Sequence, residues 1–506
     1  MKQTLKQWML AAILSFAALP GLLAQTAEDT VYVFKADQPD AGYFLPAPPD
    51  TASLDYTDDL IQWQWGKTVR PTARGQKASR ESLWLPAIMR TVMAEALGLD
   101  TISDEATPAL SRLLVKAYHT GDQSTAAAKE KYMRTRPFVQ MGEDTWAQWD
   151  TDYLRTNGSY PSGHTAFGFA TALVFAEMWP ELQDTILRRG IEFGENRIIT
   201  GAHYQSDVTA GYLCAAASIA RAHCNPELEK DILAARREYA LLRGLPADYD
   251  PTASAGQPQG VRILNAPVDT ASYRYLGDLS RLWQAKSLLY TARGEQACLD
   301  VDNSFENLAA MLGTLLGIEV SEDGTPAIWQ LMVKVRTEQK AATSAVKDTY
   351  FRKRPFVQLN ETTPLPEYEE KERTESSYVS GHSGLGWALA LAFAEVAPDR
   401  QDTILKRGYD YGYSRAIVDY HWPSDIDAAR LLASALLARL HADADFRDLL
   451  AAARAEYLGE TTGIEATTTS PSARVSHGQA YDLQGRPATS ATRGIVIENG
   501  RKQIVK

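Results

Sequence analysis

The chain repeats itself. KEKYMRTRPFVQ at 129–140 returns as KDTYFRKRPFVQ at 347–358, DTILRRG at 184–190 as DTILKRG at 402–408, and AARREY at 234–239 as AARAEY at 452–457, all 218 residues apart. TPAL at 107–110 and TPAI at 325–328 keep that spacing, whereas TARG at 72–75 and 291–294 are 219 apart, so one single-residue insertion or deletion lies between. A register held over so long a span means a duplicated domain, not a solenoid of short units. The total of 506 residues accommodates two such domains.

Each copy reads as helical. TAFGFATALVFAEMW is apolar nearly all round, as a buried helix is. DTILRRGIEFGENR and DVTAGYLCAAASIARAH carry apolar residues three and four apart, and alternating strand runs are scarce in either copy. The expected architecture is all-α: residues 25–244 and 263–460 as the two copies, 245–262 as a Pro/Ala/Gly-rich linker, and 461–479 as a second, Thr/Ser-rich linker. The tail, 480–506, differs in kind. β-formers flank Asn499-Gly500, a hairpin turn pair, so a small β-rich element is expected there.

Composition narrows the function. A formal net charge of −11 excludes a general nucleic-acid binder, so any anion site must be a local basic island. Residues 1–24 read as a secretory signal: Lys2 and Lys6, an apolar stretch, then a cut after Ala24. A membrane anchor is the competing reading, against which stand the short apolar core and Pro20. The runs at 165–180 and 383–398 contain Glu177 and Glu395 and suit domain cores better than membrane spans. Three cysteines do not make a disulfide scaffold, and ten residues of helix would hold Cys214 and Cys224 about 15 Å apart, too far to bridge. No His/Cys cluster has zinc spacing, and no metal or cofactor is expected.

Three clusters in each copy carry chemistry. The first is Lys129 and Arg136, followed by Pro137. Seven residues is nearly two helical turns, which would put both cations on one face, and Pro137 discourages Arg136 from continuing a helix. An ammonium and a guanidinium together suit a dianionic oxyanion. The second is Ser162-Gly163-His164 ahead of the apolar run. Ser162 can cap a helix, Gly163 lets backbone N–H groups approach a ligand, and His164 can donate a proton to a leaving oxygen. The third is Arg197, His203 and Asp207. With a helix beginning between His203 and Asp207, the carboxylate can fix the ring tautomer and leave the other nitrogen free to attack. Each cluster alone also fits an ordinary surface stripe, cap or structural pair. All recur together as Lys347, Arg354, Ser380, Gly381, His382, Arg415, His421 and Asp425.

The pattern K-x6-RP … PSGH … SR-x5-H-x3-D resembles the PAP2 phosphatase superfamily. Over roughly 43–240 and 265–458 each copy is similar to bacterial class A non-specific acid phosphatases, down to NGSYPSGHT and HYQSDV in the first and GYSRAIVDYHWPSDIDAAR in the second. The resemblance implies a metal-independent, two-step hydrolysis of small phosphomonoesters. His203 and His421 would be the nucleophiles, His164 and His382 the proton donors, and Asp207 and Asp425 the groups that hold the nucleophilic rings. Lys129, Arg136, Ser162, Gly163 and Arg197 would bind the phosphoryl group, as would Lys347, Arg354, Ser380, Gly381 and Arg415. Because the family is commonly oligomeric, the two copies are expected to pack as an internal pseudo-dimer. Asn196 and Val379 depart from the motif, which has Ser and Pro there; Val379 could loosen the loop that sets Ser380 and His382.

Two alternatives stand beside this. One copy could be catalytic and the other a binding or scaffolding module. A vanadium-dependent haloperoxidase resembles the same superfamily, although the compact motif spacing favours a phosphatase. Residues 141–156 and 359–374 differ between copies and are expected to shape the leaving-group pockets. The tail 480–506 resembles C-terminal sorting signals of type IX secretion cargo. With the leader, that implies export in a Gram-negative bacterium, to the periplasm, the cell surface or the medium, with the secretion machinery as a partner.

Overall fold

The apolar run after Ser162 forms the central helix of the first copy. In the computed structural model, which describes residues 30–459 apart from Trp84 and 148–150, together with the backbone of 481–482, 494–498 and 501–505, every residue of this helix is buried. The leader and both turn residues Asn499 and Gly500 lie outside the described residues.

The helices that build the first copy are α1 (Ala41–Phe44), α2 (Leu54–Val69), α3 (Pro108–Gln123), α4 (Ala126–Tyr132), α5 (Gly163–Met178), α6 (Gln183–Ile199), α7 (Gln205–Ala222) and α8 (Pro226–Leu242). Their counterparts in the second are α9 (Gly260–Ile263), α10 (Tyr275–Lys286), α11 (Pro326–Thr349), α12 (Gly381–Val396), α13 (Gln401–Ile417), α14 (Pro423–His441) and α15 (Ala444–Tyr457). Up to Gly459 no strand occurs among the described residues. No helix among them is long and apolar enough to cross a membrane.

Local chemistry sets the helix starts that matter. Ser162 Oγ accepts from Thr165 N at the head of α5, and Ser380 Oγ does the same for Ser383 N at α12. Asp207 and Asp425 each sit in a first turn and accept from the backbone N–H of Tyr204 and Trp422. α5 crosses α6 closely: a Cβ on Gly190 would fall 2.4 Å from Ala172 Cβ, and one on Gly408 2.3 Å from Ala390 Cβ. Only glycine lets these helix pairs approach so near.

One apolar core runs through both copies, and residues up to Gly459 form one compact unit. α2 packs on α10, α5 on α14, and α7 on α12. The short helices trade places: α1 of the first copy lies on α13 of the second, and α9 of the second lies on α6 of the first. The stretch 245–262 is packed rather than a free spacer. Tyr249 stacks on Trp179, Gln183 Nε2 donates to Gly256 O, and Arg439 Nη2 donates to Ala255 O. Its last three residues already belong to α9. All three cysteines are free.

The tail is a separate unit of antiparallel strands, β1 (Tyr481–Asp482), β2 (Gly494–Glu498) and β3 (Arg501–Val505), in the order β1-β2-β3. Glu498 pairs with Arg501, the register a two-residue hairpin loop gives.

Candidate active sites

All three clusters of the first copy converge at the N-terminal ends of α5 and α7. His203 sits just before α7. Arg136 Nη1 lies 2.7 Å from His203 Nε2 and also donates to Ala202 O at 2.9 Å. A guanidinium can only donate, so Nε2 carries the lone pair and Nδ1 carries the proton. That proton faces Asp207 Oδ2 at 3.5 Å and Ser159 Oγ at 3.4 Å. Ser159 Oγ in turn donates to Asp207 Oδ2 at 2.5 Å. The tautomer expected from the His–Asp spacing is therefore the one the site holds.

Lys129 and Arg136 meet, but not by sharing a helical face as the spacing predicts. α4 stops at Tyr132 because Met133 is left-handed, with φ 40°. Arg136 is extended, at φ −71° and ψ 151°, as the residue before Pro137. The two cations are instead brought together by one carbonyl: Gly158 O accepts from Lys129 Nζ at 2.8 Å and Arg136 Nη2 at 3.3 Å. Arg197 comes in from the end of α6 and His164 from the first turn of α5, and both donate to Ser82 O. Nε and Nη2 of Arg197 are buried and make no hydrogen bond. A Cβ on Gly163 would meet nothing nearer than Asp122 Oδ1 at 3.4 Å, an ordinary contact, so packing does not demand glycine there.

Burial drives the electrostatics. Desolvation, with Arg136 alongside, brings the Lys129 ammonium down to about 7 and Arg197 to about 9. His203 and His164 are held well below the usual histidine range by burial and then by the neighbouring arginines. Burial alone would raise Asp207. The Arg134 guanidinium, together with hydrogen bonds from His203 and Ser159, holds it well below the carboxylate range. The site is a buried, cation-rich cluster with two imidazoles held below the usual histidine range and one carboxylate held below its own.

The second copy repeats this with differences. Arg354 Nη1 lies 2.9 Å from His421 Nε2, Lys347 Nζ bonds Ser376 O, and His382 Nε2 donates to Val301 O. Nε and Nη1 of Arg415 are buried without a partner. Val379 does not loosen the loop: Ser380 N still donates to Asp425 O, as Ser162 N does to Asp207 O. His421 Nδ1 stands 3.8 Å from Asp425 and is 2.8 Å from Ser377 O instead. Burial keeps Asp425 above its ordinary range even with Arg352 beside it. Asn196, the other departure, and Ser414, its counterpart that keeps the motif residue, bond elsewhere: Asn196 bonds Arg74 and Glu81, and Ser414 bonds Arg293 and Asp300.

Three features escape the motif reading. Arg134 bridges Asp207 and Asp59 at 2.7 Å each, and Arg352 bridges Asp425 and Asp278. Ser159 and Ser377 bond the same two carboxylates. Their signal was present, since all recur between the copies, but nothing in one strand of text shows that Arg134 turns away from the pocket to back its carboxylate. The third is Glu372, on a short helix in the divergent segment. Its carboxylate is paired with Arg354 Nη2, with Glu375 at 3.8 Å from the same nitrogen. Among the described residues no carboxylate pairs with Arg136 in the first copy.

The PAP2 superfamily model matches residues 110–229 and again 329–447. A non-specific acid phosphatase of Providencia stuartii is 39% identical over 248 residues, which is 48% of this chain and 100% of that protein. One from Salmonella typhimurium is 35% identical over 224 residues, 44% of this chain and 89% of its own length. An acid phosphatase of Zymomonas mobilis is 33% identical over 203 residues, 40% of this chain and 75% of its own. Each relative therefore corresponds to about one copy.

Proposed function

Since the chain belongs to the PAP2 superfamily, we propose that it is an exported non-specific acid phosphatase with two active sites, each hydrolysing phosphomonoesters through a phosphohistidine. The observation that carries this reading is the pairing of a lone-pair nitrogen on His203 with unpartnered arginine donors around it. An incoming phosphoryl group supplies the oxygens those donors lack. Taking the Arg136 guanidinium for itself, it frees His203 Nε2 to attack phosphorus.

In the first step the Nε2–P bond forms and the P–O bond to the alcohol breaks. His164 gives its proton to the departing oxygen. Asp207 keeps the Nδ1 proton in place and stabilises the positive ring that results. Lys129, Arg136 and Arg197 face the equatorial oxygens, where charge spreads in the transition state. In the second step water attacks phosphorus, His164 takes a proton from it, and the P–N bond breaks to release phosphate. A bound dianion also offsets the cations that depress His164, which restores a proton to it.

The second site is proposed to run the same steps with Lys347, Arg354, His382, Arg415, His421 and Asp425. The copies are proposed to act as an internal pseudo-dimer, which is supported by the shared core and the exchanged short helices. The leader at 1–24 and the tail at 480–506 are proposed to direct export and sorting.

The direct test is to quench the enzyme during turnover of a phosphomonoester and map the phosphorylated residue by mass spectrometry. An acid-labile, base-stable adduct on His203 and His421 is expected. A phosphoserine, or no adduct at either histidine under single-turnover conditions, would contradict the mechanism.

A further inference from the structure

Away from both active sites, where α5 meets α14 and α7 meets α12, four ligating side chains converge on the contact between the copies. Glu177 stands near the end of α5 and Glu395 near the end of α12; His223 follows α7 and His441 closes α14. They are counterparts at the 218-residue offset, one Glu and one His from each copy. His223 Nε2 lies 3.3 Å from Glu177 Oε2, and His441 Nε2 lies 3.0 Å from Glu395 Oε1. The two imidazole rings stack at 3.6 Å between centroids, tilted by 2°. One ligand atom each from Glu177, His223 and His441 falls within 4.8 Å of the others.

The proposed phosphatase chemistry uses none of these groups. Arg236, Arg447 and Arg454 come near, but they donate to the backbone carbonyls of Glu177, His441 and Glu395. Among the described residues the carboxylates and imidazoles of the four pair with one another. His441 is 3% exposed, and its Nδ1 is buried without a hydrogen-bond partner. A cavity of about 20 Å3 lies against His223, Glu395, Ser434 and His441, room for one small ion. Two carboxylates and two neutral imidazoles balance a dication without residual charge, and nitrogen and oxygen donors of this kind suit zinc. Two protonated rings face to face would repel at this spacing, so the stacked pair carries at most one ring proton charge.

We propose that Glu177, His223, Glu395 and His441 form a structural Zn2+ site that ties the two copies together. Parallel rings hold their nitrogens in separate planes, so binding the ion splays the rings to aim one nitrogen of each at it. The proposal is independent of whether the chain hydrolyses phosphate.

The test uses the full chain, stripped with a chelator, dialysed and titrated with ZnCl2. Calorimetry and metal analysis should give one Zn2+ per chain, and the melting temperature should rise with Zn2+. Replacing the ion with Co2+ should give the intense visible bands of a four-coordinate site. His223→Ala/His441→Ala should weaken binding more than about 100-fold and abolish the melting shift. Glu177→Gln/Glu395→Gln, which keeps shape and size, should do the same and guards against a misfolded histidine variant. Absence of stoichiometric Zn2+ in the wild type would overturn the proposal. So would Zn2+ retained with unchanged affinity in both folded variants, which would put the ion elsewhere, for example at the active-site histidines.

Discussion

Arg354 differs from Arg136 in one respect that bears on catalysis: it already holds a carboxylate. If Arg354 binds phosphate as proposed, Glu372 competes for the same guanidinium, and the second site must give up an ion pair before it binds substrate. If giving up this ion pair costs about 1.4 kcal/mol, it corresponds to roughly tenfold in affinity. In a His203→Ala background, where only the second site is left, Glu372→Ala should lower KM for p-nitrophenyl phosphate by about tenfold. An unchanged or higher KM would mean that Glu372 does not obstruct the pocket. The two lysines give a second difference. Lys129 is charged below about 7 and loses its proton as pH rises through that value; Lys347 does so at about 8. With His421→Ala or His203→Ala isolating one site at a time, KM should climb above pH 7 at the first and about one pH unit later at the second. Coincident profiles would contradict the assignment.

Helix α5 serves two ends at once, and its glycines separate them. Gly190 on α6 touches Ala172 of α5, so Gly190→Ala overpacks the crossing and should cost about 1–3 kcal/mol of stability. At Gly163, at the head of α5, a Cβ would make only ordinary contacts from 3.4 Å outward, so Gly163→Ala should leave the melting temperature nearly unchanged while raising KM. Thermal melts beside steady-state kinetics check both; a melting loss for Gly163→Ala matching that of Gly190→Ala would show that the loop glycine is structural. At this scale much was legible beforehand. Ser162 and the apolar run located α5, and the His203–Asp207 spacing placed the start of α7, because capping and burial leave marks in sequence. The ending of α4 did not show, since left-handed Met133 carries no glycine to announce it. Arg134 and Glu372 were also silent as to role. Their partners are Asp59 and Asp207 in one case and Arg354 in the other, and such pairings are set by the tertiary fold.

For the whole molecule, the duplication foretold two similar domains but not one core. Apolar contact runs from Phe44 to Trp387 and from α2 to α10, and α1 and α9 each lie on the other copy. Faces that a single copy would present to solvent or to a second chain are buried inside this one, which is why 245–262 is held against both copies instead of spacing them apart. The central claim is that both sites within that unit turn over. The most direct measurement is kcat/KM for p-nitrophenyl phosphate at mildly acidic pH for wild type, His203→Ala, His421→Ala and the double variant. The account predicts that each single variant keeps part of the activity, with His421→Ala retaining the larger share, and that the double variant is inactive. If either single substitution alone abolished turnover, the other copy would be a partner domain and the two-site account would be wrong.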